Sequence, residues 1–325
     1  MTRFATIVTA VLAAASVSGC ADQRHDRTGR LPGEEDTMVN TSAVGSSIID
    51  LERAALEQFG RGDIDGPLAF CHGEISYFDP NVNRRIDDRA ALANLYEGAR
   101  GTQQYDHIEM VDPRVQEFED TAVLTYVLAT SRSPSSPSNP DRWKVTAVYH
   151  RFNDRWLVVH THFAIFADTT SREFEFGTRP VDLGRIEDAT LRELLALEDR
   201  AMERWRRGDP WGFLELSATD VSYFDPETDG RLDGADALHR LYAEVEGKIH
   251  YDVSQYIVPR VQLFGDVAVL SYHYRSADLQ PDGTAGAGTL WNTTEVFARI
   301  DDQWRIVHTH WSYARAGQAE IDKNE

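Results

Sequence analysis

Two histidine pairs, each written His-Thr-His, are of the right type to move protons near neutral pH. They lie in two matching segments, NDRWLVVHTHFAIF and DDQWRIVHTHWSYA, and are His160 with His162 and His308 with His310. Side chains alternate along a strand, so both histidines of a pair are expected to point the same way, on the face that carries Trp304 and Ile306. The opposite face is also apolar, which predicts an interior strand.

A tyrosine and an aspartate two residues apart form a second candidate set for acid–base chemistry. The pairs are Tyr77 with Asp79 and Tyr223 with Asp225, and a proline follows each. Both members of a pair share one strand face, so a phenol and a carboxyl group are expected to project together. Two structural alternatives stay open. For the aspartates, the alternative is that the Asp-Pro step only starts a turn. For the histidines, the alternative is that they are buried and hydrogen-bonded for stability.

The His-x-His spacing also suits a metal ion, with an aspartate completing a two-histidine, one-carboxylate set. Because no third ligand is fixed by the sequence, no metal site is predicted, and His308, His310 and Asp225 are kept as the alternative set. Cys71 aligns with Ser217, which argues against a cysteine nucleophile shared by both copies. No phosphate loop or dinucleotide fingerprint occurs in the sequence, so no cofactor is expected.

The chain is a tandem duplication. Under a shift of 146 residues, RGD at 61–63 matches RGD at 207–209, and SYFDP at 76–80 matches SYFDP at 222–226. By the last strand the shift is 148 residues, because two extra residues enter the hairpin loop Ala277–Thr289. In each copy the apolar spacing predicts helices first and a long antiparallel meander afterwards. This order indicates an α+β domain with helices on one face of a curved sheet.

The first twenty residues are predicted to be a targeting signal. Arg3 precedes an almost unbroken apolar run, and Val17-Ser18-Gly19-Cys20 resembles the lipobox of bacterial lipoproteins. That resemblance implies cleavage before Cys20, lipidation of its thiol and a mature protein tethered to the outer face of a membrane. An ordinary secretory signal is the alternative. Residues 21–46 are polar and are expected to form a flexible tether.

Composition limits the function classes. The chain has 325 residues, enough for two cores, and a net charge of −20. A protein without a cationic surface releases no counterions from nucleic acid, so no nucleic-acid partner is expected.

The order of elements, ending in a strand with the pattern Trp-apolar-apolar-His-x-His, resembles the SnoaL-like branch of the nuclear transport factor two-like (cystatin-like α+β cone) superfamily. The resemblance covers domain 1 at 47–167 and domain 2 at 189–315, with a linker at 168–188 and a tail at 316–325 expected to be disordered. It implies a conical pocket between sheet and helices, and pairing of domains through the outer sheet face. The two repeats are therefore expected to pair as a pseudo-dimer.

Two functions follow from this resemblance. One is a membrane-tethered module that binds a small, largely apolar molecule in a conical pocket. The other is a cofactor-independent isomerase, dehydratase or cyclase. In it Asp225 or a histidine takes a carbon-bound proton, and Tyr223 or the other histidine stabilises the oxyanion. No two carboxylates of the sequence can be placed as a pair like that of ketosteroid isomerase. The second copy is closer to the family pattern and is the predicted centre of activity.

Overall fold

The computed structural model describes residues 42–80, 82, 84–132, 140–166 and 183–314. The predicted signal with Cys20, almost all of the tether, most of the linker and the tail lie outside these residues. No helix within the described ranges is long and apolar enough to cross a membrane. Both repeats belong to one compact unit.

Each repeat begins with helices whose apolar faces are set by the sequence. In the first helix Ile48, Leu56 and Phe59 recur at helical spacing, and the Ser42 hydroxyl caps its start by accepting from the Gly45 amide at 2.9 Å. The helices of the first repeat are α1 (Ala43–Phe59), α2 (Asp65–Ala69) and α3 (Arg89–Tyr96). Those of the second repeat are α4 (Ala189–Trp205), α5 (Trp211–Leu216) and α6 (Ala235–Val245).

The strands occur in the predicted order, and the first strand of each repeat comes before the third helix of that repeat. In the first repeat they are β1 (Cys71–Phe78), β2 (His107–Phe118), β3 (Thr121–Ser131), β4 (Asp141–Phe152) and β5 (Arg155–Ile165). In the second they are β6 (Ser217–Phe224), β7 (Leu232–Asp233), β8 (Val253–Phe264), β9 (Val267–Leu279), β10 (Ala285–Ile300) and β11 (Gln303–Tyr313).

Each sheet is mostly antiparallel, with one parallel pair. The first sheet has the order β1-β5-β4-β3-β2, and the second has the order β7-β6-β11-β10-β9-β8. Strand β1 runs parallel to β5, and β6 runs parallel to β11. The histidine strands β5 and β11 lie in the interior of their sheets, as predicted from the apolar residues on both of their faces. The predicted α+β class is confirmed.

A β-bulge in each histidine strand changes which face the histidines occupy. Val296 of β10 pairs with His308 and Phe297 pairs with Ile306, so Val307 is an extra residue between them. Val159 is the extra residue in β5. A bulge places two successive residues on one side and interrupts the alternation. The prediction that the histidines share a face with Trp304 and Ile306 is therefore wrong.

The two repeats pack together through the outer faces of their sheets. The apolar part of the contact is formed by small residues of both repeats: Val123, Val148, Val159, Ala218, Val267, Val269, Val296, Ala298 and Val307. All of these are buried. The valine-rich strands are thus covered on both faces, in agreement with the predicted pairing of the repeats.

Candidate functional site

The first repeat contains a cavity of about 390 Å³ between its helices and the concave face of its sheet. Its wall is mainly apolar and aromatic, with contributions from α1, α2, α3 and all five strands of the first sheet. The aromatic lining residues are Phe59, Phe70, Tyr77, Tyr96, Tyr105, Trp143 and Phe163. Polar side chains reach it at a few points, which is the usual composition of a small-molecule site.

The tyrosine–aspartate pairs come together as hydrogen-bonded pairs. The Tyr77 hydroxyl donates to Asp79 Oδ2 at 2.9 Å, and the Tyr223 hydroxyl donates to Asp225 Oδ2 at the same distance. Tyr77 and Asp79 line the cavity of the first repeat. Asp225 also accepts from the amide of Thr228 at 2.9 Å, so in the second repeat the aspartate holds the following turn as well.

Glu52 is a polar residue of the cavity that does not belong to the sequence motifs described above. Its carboxyl group is buried on the inner face of α1, where the Tyr126 hydroxyl donates to Oε1 at 2.6 Å and the Tyr149 hydroxyl donates to Oε2. Burial raises the pKa of Glu52 despite these two hydrogen bonds, which act in the opposite direction. A signal was present, because a glutamate interrupts the apolar helix face at the same position, Glu198, in the second copy.

In the second repeat larger side chains occupy the corresponding space. Tyr256 stands where the first repeat has Met110, Tyr274 replaces Leu128 and Trp311 replaces Phe163. These rings pack on one another, with Tyr256 and Tyr274 centroids 5.2 Å apart and Tyr274 and Trp311 centroids 6.0 Å apart. The prediction that the second copy is the centre of activity stays a prediction.

The second repeat does contain a pair of carboxyl groups, which the sequence did not indicate. Glu198 of α4 and Glu295 of β10 are fully buried, and their carboxyl groups lie close enough to influence each other's pKa. The Tyr272 hydroxyl donates to Glu198 Oε1 at 2.6 Å. Burial raises the pKa of both carboxyl groups, and the proximity of Glu198 raises that of Glu295 further.

The four motif histidines lie between the two sheets and not in the cones. All four are fully buried. Thr146 of the first repeat contacts His308 Nε2 at 2.7 Å and His310 Nδ1 at 2.9 Å. Thr294 of the second repeat contacts the other pair, His160 and His162. The bulge separates His308 and His310 from the sheet face that carries Tyr223, so the two candidate sets of the second copy do not meet in its cone.

The hydroxyl groups around the first pair, His160 and His162, allow only one assignment of hydrogen-bond donors and acceptors. Ser76 Oγ donates to Gln262 Oε1 at 2.6 Å, so it accepts from His160 Nδ1, also at 2.6 Å. His160 Nε2 then accepts from Thr294 Oγ1, which itself accepts from His162 Nδ1 at 3.0 Å. His162 Nε2 accepts from Ser312 at 2.8 Å. Every ring in this chain is a neutral Nδ1–H tautomer.

The second pair repeats this arrangement with one difference. Ser222 donates to Gln116 and accepts from His308 Nδ1, and Thr146 links His308 to His310. Burial lowers the pKa of His160 and of His308 to about 3. His310 Nε2 has no hydrogen-bond partner among the described residues. Ala164 stands at the position that corresponds to Ser312, which is the donor to His162 in the first pair. This geometry agrees with the alternative that the histidines are buried and hydrogen-bonded for stability.

The alternative metal set is not assembled. The ring nitrogens of His308 and the Nδ1 of His310 are occupied by hydroxyl groups, and the Asp225 carboxyl accepts from Tyr223. Among the described residues, no group of three or more histidine, cysteine, aspartate or glutamate side chains is placed to hold a metal ion.

Comparison with known proteins gives the family. The family model of the calcium/calmodulin dependent protein kinase II association domain matches residues 46–166 and again 190–315. The last-strand motif had suggested the SnoaL-like branch, whereas the matching model is that of the association domain. A search of curated proteins finds no match.

Similar solved structures each correspond to about one repeat. A candidate ketosteroid isomerase from Parabacteroides distasonis is 33% identical, with 40% of this chain and 90% of that chain covered and a TM-score of 0.33. The association domain of C. elegans CaMKII is 21% identical, with 38% and 95% covered and a TM-score of 0.33. An NTF2-like protein from Pseudomonas putida is 22% identical, with 40% and 91% covered and a TM-score of 0.35.

The family match extends over most of the chain and occurs twice, at the two repeats that the sequence shows. Each repeat has the α+β cone of the NTF2-like superfamily. The chain therefore belongs to the calcium/calmodulin dependent protein kinase II association domain family and contains two such domains in tandem.

Proposed function

We propose that this protein binds a small, largely apolar molecule in the cone of its first repeat, with the second repeat as a built-in pairing partner. The observation that carries the proposal is the cavity of about 390 Å³. This volume lies within the range of about 300–1,000 Å³ that is common for small-molecule sites. The aromatic and aliphatic wall favours an apolar ligand, because burial of apolar surface is the main source of affinity there.

The second repeat supplies the variant that tests this proposal. Leu128→Tyr with Phe163→Trp gives the first cone the side chains that fill the second cone, Tyr274 and Trp311. Binding of an apolar probe, 4-phenylbutan-1-ol, is measured by calorimetry and by the rise in Tm. We expect the wild-type chain to bind the probe and the filled variant to lose binding while remaining folded.

A matched control changes an equivalent position outside the cavity. Tyr274→Phe removes one hydroxyl from the second cone and should leave probe binding unchanged. Cys71 gives an independent readout, because its side chain lines the cavity and is 8% exposed. The probe should slow the reaction of Cys71 with methyl methanethiosulfonate. Equal probe binding by the wild-type and filled chains would refute the proposal.

We further propose that the chain is held at the outer face of a membrane by a lipid on Cys20. The support is the lipobox-like sequence Val17-Ser18-Gly19-Cys20 after an apolar run. A tether of this kind leaves the two domains in the extracytoplasmic space. The first cone then meets small molecules of the cell envelope.

A second candidate function is a cofactor-independent isomerase, dehydratase or cyclase. It is favoured by one observation, that the Tyr77–Asp79 pair and Glu52 line the same cavity. A carboxyl group is a suitable base for a carbon-bound proton, and a phenol is a suitable donor to the oxyanion. The test is exchange of the α-protons of 2-phenylcyclohexanone in D₂O, followed by NMR. Asp79→Asn should abolish exchange, and exchange that persists in this variant would remove Asp79 from the reaction.

A further inference from the structure

We propose that the ligand of the first cone carries a positive charge, as a compact apolar body bearing an amine. This inference rests on the proposed binding function and specifies its ligand class. It is carried by the combination of aromatic rings, acidic side chains and an unpartnered hydroxyl in one cavity.

Four rings form a continuous aromatic wall in the cavity: Phe59, Tyr96, Tyr77 and Phe163. The centroids of Phe59 and Tyr96 are 4.9 Å apart, those of Tyr96 and Tyr77 are 6.0 Å apart, and those of Tyr77 and Phe163 are 5.9 Å apart. Successive rings are inclined by 57°, 86° and 50°. Inclined rings in contact surround a bound group from several directions, and aromatic faces attract an ammonium group.

The charged side chains of the cavity wall are mainly acidic. Glu52, Asp79 and Asp141 line the cavity, and among its described lining residues Arg132 is the only basic one. Arg132 is engaged at the mouth, where it lies 5.8 Å from the centroid of the Tyr105 ring and donates to Gln103 Oε1 at 3.4 Å. Burial raises the pKa of Glu52 and so disfavours its charged form, which leaves Asp79 and Asp141 as the groups that would repel an anionic ligand and attract a cation.

Asp79 is the acidic group best placed to pair with the amine. Glu52 already accepts hydrogen bonds from two tyrosines and lies under α1. Asp79 is half-buried, and the Tyr77 hydroxyl holds its carboxyl group beside the aromatic wall. A charge taken out of water requires such a partner, because an unpaired buried charge is costly.

Two further observations favour a cation that can donate hydrogen bonds. The Thr130 side chain lines the cavity and is 1% exposed, and its hydroxyl has no partner among the described residues. An amine N–H is a suitable donor to this oxygen. The net charge of −20 also raises the concentration of cations near the protein surface.

The test uses three probes of the same shape on the full chain: 4-phenylbutylamine, 4-phenylbutan-1-ol and 4-phenylbutanoate. Calorimetry at pH 7 should show the amine binding at least about tenfold more tightly than the alcohol, and the carboxylate more weakly than the alcohol. Asp79→Asn should remove the preference for the amine and change the affinity for the alcohol by less than about threefold.

Asp225→Asn is the matched control, because it removes the same carboxylate from the Tyr–Asp pair of the second cone, outside this cavity. It should leave all three affinities unchanged. Equal binding of alcohol and amine, or tighter binding of the carboxylate, would overturn the cationic ligand and leave the proposed binding function standing. If none of the three probes binds, both proposals fail.

Discussion

The imidazole rings of His162 and His310 stack face to face across the contact between the two repeats. Their centroids are 3.9 Å apart and the ring planes are inclined by only 14°. Ser312 donates to His162 Nε2, whereas Ala164 at the matching position leaves His310 Nε2 without a partner in the described part of the chain. The contact is therefore symmetric in its rings and asymmetric in its hydrogen bonds.

This asymmetry predicts opposite effects for two exchanges. Ser312→Ala should lower the free energy of unfolding by about 1–3 kcal/mol, because it leaves a buried imidazole nitrogen without its donor. Ala164→Ser should raise it by about 0.5–1.5 kcal/mol, because it supplies a donor to His310. Urea denaturation measures both. Equal effects of the same sign would contradict the hydrogen-bond assignment.

The neutral histidines predict a loss of stability in acid. The folded pKa of His160, His273 and His308 is lowered to about 3, mainly by burial and then by Arg85 or Arg231. Between about 6.5 and 3 the unfolded chain takes up protons that the folded chain does not. The contribution of these histidines to the free energy of unfolding is complete above about pH 6.5. As the pH falls below this value, the free energy of unfolding decreases by up to about 1.4 kcal/mol per pH unit for each histidine.

Denaturation at a series of pH values from 7 to 5 measures this slope, and imidazole ¹⁵N NMR reports the tautomers. The rings should stay neutral, with the proton on Nδ1, throughout this range. His250→Asn, at an exposed position, is the control and should leave the slope almost unchanged. Protonated motif histidines in the folded chain at pH 5 would refute the prediction.

The pair Glu198 and Glu295 predicts a pH effect of opposite sign. A raised folded pKa stabilises the chain below the unfolded value of about 4.3, and this contribution is lost as pH rises through the folded pKa. Glu295→Gln removes one of the two ionisable groups and keeps the size of the side chain. Its advantage over the wild-type chain should therefore grow from pH 5 to pH 8. Glu244→Gln on the surface of α6 should show no such trend.

Opening the second cone should create a second binding site. Tyr274→Leu with Trp311→Phe gives it the side chains of the first cone at these two positions. The exchange should cost about 2–5 kcal/mol of stability, because it leaves a cavity. If the variant remains folded, calorimetry with 4-phenylbutan-1-ol should give two sites per chain. A stoichiometry that stays at one would show that these residues do not decide the occupancy.

The lipid tether is tested by its cysteine. Cys20→Ser should move the protein from the membrane fraction to a soluble or unprocessed form, because the thiol that would be acylated is absent. Cys71→Ser is the control, since that side chain is buried in the first repeat. Membrane attachment and processing that persist in the Cys20 variant would exclude the lipoprotein interpretation.

The sequence by itself determined the duplication, the α+β class, the interior position of the histidine strands and the partnership of each tyrosine with its aspartate. These features depend on local spacing and on matches between two copies, which are visible along the chain. Glu52 was also within reach, since a glutamate repeats on the apolar face of the first helix in both copies. A hydrogen-bonded Tyr–Asp pair needs only two residues on one strand face.

Only the tertiary structure decided on which side the histidines lie and how the side chains of each cone pack. The bulges at Val159 and Val307 move the histidines to the contact between the sheets. Apolar residues flank these positions on both faces, so the sequence pattern contains no sign of the extra residue. The free volume of each cone likewise depends on how its side chains pack in three dimensions, as Tyr256, Tyr274 and Trp311 do in the second repeat. Whether a cavity is filled depends on several side chains that are distant in sequence, and no single position reveals the result.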